Sequence, residues 1–427
     1  FAATEPVDKE LWYKAPITPM DDLHGNLRGI IEHMDDIQNL GIDVLYMTPI
    51  FQSNSCHKYD TTDYYQIDPS FGTTEDLKEL VQKAHERGMK VVLDAVYNHT
   101  GREFFAFADI LENGEKSKYR DWYFIDGFPL KSEWGEIPNF KCFGYYGGMP
   151  KLNLKNPEVE KYITDVACYW IKECDIDGWR LDVGDEISHF FWKNFRKAVK
   201  AVKKDMLIIG EIWHYAGDFL EGDEWDTVMN YPFYLNLIDL LADEKITVSQ
   251  FVQNLGYLKG RLHKNCYPLM WNLIDSHDTA RFLHLCNDNK KKQHLAAAFQ
   301  LLLPGMPMIY YGDEYAMPGA NDPDCRRGMY WDEEYQDKEM FEWYKQLLKE
   351  KKNHACIIEG EPMEIAARDG EETIVLTRKN DEETLALIFN CSSSARMFNE
   401  YAQKYDLLRE NPFDGKIEGL DAAVIVL

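Results

Sequence analysis

The feature that most constrains this chain is an alternation, repeated in one order, of helix-spaced apolar positions and short continuous apolar runs. It begins at about residue 27 and is the pattern of βα units around a parallel sheet. Thr73 and Asp76 have capping-box spacing, Leu77, Leu80, Val81 and Ala84 follow at helical intervals, Gly88 can end that helix, and Val91 to Val96 reads as a buried strand. Asn156 and Pro157 open a second helix with Val159, Ile163, Val166 and Trp170 on one face, and Ile176 to Val183 is the next strand. A helix over Phe190 to Val202 leads to Met206 through Ile212, and one over Leu295 to Leu303 feeds a strand at Met308 to Tyr311. Ile42 to Met47 and Tyr267 to Ile274 add two more strands. So many sequential units predict an α/β fold, a (β/α)8 TIM barrel in preference to an open doubly wound sheet, with the motifs deciding between them.

Two stretches depart from the rhythm. Gly101 to Pro150 is aromatic, Gly-rich and contains proline, as expected of a loop lobe over a site after the third strand. After about Asn353, short alternating segments at Glu372 to Arg378, Thr384 to Asn390 and Ala422 to Leu427 predict a C-terminal antiparallel β-sandwich domain. The expected division is a catalytic barrel over 1–350, with its lobe at 100–150, and a β domain over 351–427. Residues 1–19 hold no convincing strand, so the first barrel strand is expected to be missing or atypical.

Composition narrows the partners. With 47 basic and 73 acidic residues the formal charge is −26, which repels phosphate backbones and anionic lipid headgroups. Neither nucleic acid nor a membrane is expected as partner, and the apolar stretch from Leu295 to Tyr311 is interrupted by Pro304, Gly305 and Pro307. Nine cysteines without a CxxC pair suit reduced thiols and a cytoplasmic location.

Polar side chains collect where the strands end: Asp94, Asn98 and His99; Arg180 and Asp182; Glu211; His277 and Asp278. The carboxyl ends of barrel strands carry active sites, so these residues can converge, although any one alone reads equally as a helix cap or a structural ion pair. Alternation puts Arg180 and Asp182 on one face, where the guanidinium favours an ionised, nucleophilic Asp182. Glu211 on the next strand, facing that negative charge, is expected to stay protonated. Two carboxyls in these states are what retaining glycoside hydrolysis needs, one to attack the anomeric carbon and one to protonate the leaving oxygen.

The chain resembles the alpha-amylase family, glycoside hydrolase family 13. The carrying segments are Asp94-Ala-Val-Tyr-Asn98-His99, Gly178-Trp-Arg180-Leu-Asp182, Gly210-Glu211-Ile-Trp213 and Ser276-His277-Asp278. Met149-Pro-Lys-Leu-Asn153 is similar to the form typical of the cyclomaltodextrinase, neopullulanase and maltogenic amylase branch. The resemblance implies Asp182 as nucleophile, Glu211 as general acid/base and Asp278 as transition-state stabiliser. It implies that Arg180, His99, His277 and Asp94 surround the sugar at the cleavage point and that Tyr59 stacks on it. Asp322 and Arg326 would clamp the next sugar, with Trp213 and Glu186 on the leaving-group side. It further implies alpha-glucan oligosaccharides as partners: cyclodextrins, maltooligosaccharides, and by extension pullulan and starch, with some glycosyl transfer and no cofactor. The branch's dimerising N-terminal domain has no counterpart here, so the resemblance sets no oligomeric state. The calcium loop of some relatives has only Glu5 and Asp8 as acidic candidates, with Asn26 in place of an expected Asp, which leaves at most a weak site.

Three other readings compete. A non-catalytic glucan-binding relative would ordinarily have lost Asp182 or Glu211. A metal-dependent hydrolase would gather Asp94, His99, His277 and Asp278 around one ion. An oligo-1,6-glucosidase or sucrose isomerase would carry a different tetrad at Met149 to Asn153.

Overall fold

The computed structural model describes residues 1–4, 7–131 and 137–427, so Glu5 and part of the expected lobe lie outside the described residues. The chain divides into two compact units, one of residues 1–7, 22–212 and 218–228, the other of residues 8–21, 213–217 and 229–427.

The first unit is built on a five-stranded sheet, all parallel, whose spatial order is its chain order: Val44–Met47, Lys90–Ala95, Gly178–Leu181, Leu207–Gly210 and Thr227–Val228. Most of these side chains are buried, which is why the strands read as continuous apolar runs and not as alternating ones. Helices Thr74–Glu86, Pro157–Cys174 and His189–Val202 occupy the crossovers. The capping box of Thr73 and Asp76 is formed, and Gly88 follows the helix at φ +75°. Asn156 caps the long helix by accepting from the Glu158 N–H, and Val159, Ile163, Val166 and Trp170 form its buried face. Each such large side chain contributes ~1.5–3 kcal/mol by leaving water. Among the described residues no strand precedes Val44. A hairpin of Phe51–Ser53 and Thr61–Ile67 carries Tyr59 in its loop. The expected loop lobe contains a helix, Phe105–Asn113, and short bridges such as His99 to Lys151 and Cys142 to Pro150.

In the second unit the helix Lys290–Leu302 lies between two short parallel strands, Trp271–Asn272 and Met306–Pro307. Both are shorter than the sequence suggests. Tyr267–Leu269 is a 3₁₀ turn with Pro268 in its first turn, where a missing N–H costs nothing, so the expected strand from Tyr267 begins only at Trp271. The expected strand at Met308 to Tyr311 is displaced to Met306–Pro307. Gly305, at φ +133° and with Asn272 where a Cβ would stand, starts it early, and the Met308 N–H adds one last ladder bond to Asn272 O at 2.8 Å. A turn at Asp313–Tyr315 follows.

Farther along, a six-stranded antiparallel sheet is ordered Glu361–Arg368, Thr373–Lys379, Thr384–Asn390, Asp421–Val426, Tyr405–Asp406, Asn411–Pro412. One face buries Val375, Ala386, Ile388, Ala423 and Ile425 against Phe398, Phe413 and Ile417, which gives the expected sandwich. On the other face Phe389 stacks on Phe299 of the Lys290–Leu302 helix, centroids 4.3 Å apart. Among the described residues no helix is long and apolar enough to cross a membrane.

Candidate active site

Strand register builds the first group of polar residues. Asp94 is the direct partner of Arg180, and Arg180 in turn is the partner of Ile209, so Asp94 and Arg180 stand side by side while Asp182 and Glu211 each lie two residues further on the same face. The last paired residues are Leu181 and Gly210, and the Glu211 N–H still donates to Leu181 O at 3.0 Å. One step past that pair, Asp182 is set beside Glu211 on strands that lie ~4.8 Å apart.

Arg180 is fully buried and addresses three carboxylates. Its Nη1 donates to both oxygens of Asp94 at 3.1 and 3.0 Å and to Asp182 at 3.0 Å, while Nη2 pairs with Glu211 Oε2 at 2.9 Å. Asp94 also accepts from the Tyr46 hydroxyl at 2.7 Å and the Tyr59 hydroxyl at 3.1 Å. Burial nevertheless pushes Asp94 up to about 6 against the pull of Arg180. Glu211 Oε2 takes a second donor, the Val183 N–H, at 2.8 Å. His99 stacks on Phe143, its Nε2 is 3.1 Å from Tyr59 O, and burial holds it down at about 4, so it is neutral near pH 7. Glu186 is tied to Lys151 at 2.7 Å and to the Asn98 amide at 3.1 Å, and Lys151 also reaches Asn98 Oδ1 at 2.7 Å.

The second group belongs to the other unit. His277 Nε2 and Asp278 pair at 3.1 Å, and Arg326 lies 3.5 Å from Asp278, pairs with Asp322 at 2.6 Å and donates from Nε to His277 O at 3.0 Å. Trp213, 40 % exposed, stacks on Tyr231 with centroids 3.8 Å apart. The Tyr231 hydroxyl meets Ser276 Oγ at 3.2 Å, and that oxygen accepts from the Asp278 N–H.

The structure thus brings Tyr59, Asp94, His99, Arg180, Asp182, Glu186 and Glu211 into one unit and Trp213, His277, Asp278, Asp322 and Arg326 into the other. Tyr46, Lys151, Val183 and Tyr231 are additions. Tyr46 was accessible to register reasoning, since it pairs with Val92 and so shares the face of Asp94. Among the described residues no cluster of three His, Cys, Asp or Glu side chains could hold a metal ion. The oxygens of Asp94 are occupied by Arg180 and two phenols, which does not suit the proposed ion-binding quartet.

The family model for the alpha amylase catalytic domain matches residues 8–357. A cyclomaltodextrinase from Geobacillus thermopakistaniensis is 46 % identical over 92 % of this chain and 66 % of its own length. The chain therefore spans about two thirds of that curated relative. A solved cyclomaltodextrinase superposes with a TM-score of 0.92 at 37 % identity, covering 99 % of this chain and 74 % of that one. The ligand-free cyclic alpha-maltosyl-(1→6)-maltose hydrolase of Arthrobacter globiformis gives 0.90 at 34 % identity, covering 100 % and 96 %.

Proposed function

Because the chain belongs to the alpha-amylase family, whose catalytic domain is a (β/α) barrel, we propose that it is a retaining alpha-glucan hydrolase acting on alpha-1,4-glucosidic bonds of cyclodextrins and maltooligosaccharides, with pullulan and starch as further substrates. The observation that carries this reading is the register that sets Asp182 beside Glu211 with Arg180 binding both. Retaining enzymes hold their two carboxyls ~5–5.5 Å apart, which suits adjacent strands and leaves no room for an intervening water.

In the first step an Asp182 oxygen attacks the anomeric carbon, the bond to the leaving oxygen breaks, and Glu211 gives that oxygen its proton. A glycosyl ester of Asp182 results. In the second step water attacks the same carbon, Glu211 takes its proton, and the ester bond breaks to restore the Asp182 carboxylate. A sugar hydroxyl in place of water gives glycosyl transfer. Arg180 pairs with Asp182 at 3.0 Å, Asp94 holds Arg180 and the Tyr59 hydroxyl in place, and Asp278, His277 and His99 serve as partners for sugar hydroxyls. Tyr59 supplies a ring face, Asp322 and Arg326 hold the neighbouring sugar, and Trp213 and Glu186 take the leaving-group side. No step needs a cofactor. The nine cysteines include no CxxC pair, which supports a reducing, cytoplasmic setting.

Chromatography of products from beta-cyclodextrin, maltotriose and pullulan tests the proposal. The parent should release maltose and glucose and Asp182→Asn none. Equal product from both proteins would overturn it. Should the parent act faster on alpha-1,6-linked than on alpha-1,4-linked substrates, the bond assignment would move to the debranching side of the family.

A further inference from the structure

The turn after the proposed nucleophile is left-handed at a residue that rarely tolerates it. Val183 is β-branched yet sits at φ +46°, ψ +45°, a conformation that costs such residues energy and persists only where the surroundings impose it. The surroundings do impose it. The next residue, Gly184, packs so closely that a Cβ there would stand 2.8 Å from the Trp225 ring, and its carbonyl accepts from Trp192 Nε1 at 2.8 Å. Trp225 is itself stacked on Phe219 at 4.0 Å and nearly parallel to it.

The turn has a chemical consequence. A left-handed residue followed by a helical one points successive N–H groups toward one place. Here both meet Glu211: the Val183 N–H bonds the side chain at 2.8 Å and the Gly184 N–H bonds the main-chain carbonyl at 3.2 Å. The side-chain bond falls on Oε2, the same oxygen that pairs with Arg180. With two donors aimed at it, Oε2 is the unfavourable place for the acid's own proton, because an O–H there would point into an N–H and a guanidinium.

We infer that Val183 is a positioning residue for the acid/base: its turn and its N–H, together with Arg180, anchor one oxygen of Glu211, so that proton exchange with the glucan runs through the other. This rests on the assignment of Glu211 made above and adds which oxygen works and what holds it. The anchoring also fixes the rotation of the carboxyl group, so a proton lost to the leaving oxygen and one recovered from water use the same atom in both half-reactions.

Replacing the Val183 amide by an ester, through incorporation of the matching α-hydroxy acid, removes the N–H and keeps the side chain. The expected result is about a tenfold fall in kcat on maltotriose, the usual worth of a hydrogen bond to a charged group, with KM little changed. On an aryl glucoside whose leaving group needs no protonation, the fall should stay below about threefold in the glycosylation step. Equal falls on both substrates would mean that the turn is merely structural. A second measurement does not depend on that variant folding: in protein labelled with ¹⁵N-valine, the Val183 amide proton should lie downfield in the parent, where it donates to the Glu211 side chain, and move upfield in Glu211→Gln, where the acceptor is a neutral amide. A Val183 amide signal at the same position in both would overturn the inference. Glu211→Gln on the same two substrates separates the two claims. If it shows no dependence on the leaving group, the acid/base assignment itself fails. If it shows that dependence and the ester does not, only the role of Val183 fails.

Discussion

Among the described residues each unit contains one arginine with no exposed surface, and the two are used differently. Arg180 directs its guanidinium at three carboxylates, Asp94, Asp182 and Glu211. Arg281 bonds one carboxylate, Asp313 at 3.2 Å, feels the charge of a second, Asp275, and spends Nε on the main-chain carbonyl of Cys325 at 3.1 Å, with its guanidinium over the rings of Tyr310 and Tyr311. Cys325 and Arg326 in turn bind His277 O. The first arginine collects negative charge at strand ends. The second ties two loops together and sets where His277, Asp278 and Arg326 stand. A buried guanidinium is therefore not a site marker by itself; what it faces decides.

The largest effect should come from Arg180→Met, which leaves three carboxylates without their cation. We expect kcat/KM on maltotriose to fall at least about 10³-fold, as for loss of a preorganised charge in an active site, and Arg180→Lys not to restore it, since one ammonium cannot reproduce the fork. Retention of a tenth of the activity would break the distinction between the two arginines.

Arg281→Met should cost less, about 10- to 100-fold in kcat, through misplacement of the loop it holds. Asp313 lies well above the usual carboxylate range because of burial and Asp275 beside it, so it can carry a proton when its cation is gone. Activity and thermal unfolding measured together sharpen the point. A loss of activity as large as for Arg180→Met would assign Arg281 to the chemistry.

The smallest effect is a pair of opposite pH responses. Burial lowers His99 from 6.5 to about 4, so the unfolded chain takes up this proton first as pH falls. Its contribution is complete above pH 6.5 and lost between 6.5 and 4. Burial raises Glu314 from 4.5 to about 7, so the folded chain holds that proton longer, and its contribution is complete below 4.5 and lost as pH rises to 7. Each is worth up to about 3 kcal/mol. The Tm of Glu314→Gln should thus fall less than the parent's from pH 4.5 to 7, and that of His99→Asn should fall less from 6.5 to 4. Parallel Tm curves for parent and variants would remove the pH contrast between the two regions.

Most of the first region was legible in the chain. Strand alternation put Arg180 and Asp182 on one face, and the capping signals at Thr73 and Asn156 set the helices that hold the strands in order. Arg281 was not legible, because its bonded carboxylate, Asp313, lies 32 residues away on a turn that no periodicity marks, and the carbonyl it binds leaves no trace in residue type. Nor was the left-handed turn at Val183, which propensity argues against and packing enforces. The displaced strand at Met306 has the same origin: the Asn272 side chain occupies the space that only a glycine at 305 leaves open.

Trp225 gives one of these features a wider meaning. A Cβ on Gly210 would stand 2.2 Å from its ring, and one on Gly184 2.8 Å. The indole thus acts as a shim under the turn at Val183 and the strand that leads to Glu211, its thickness matched by two absent methyl groups. The geometry of both carboxyls can then be retuned from beneath, by altering a residue that is itself buried and carries no charge.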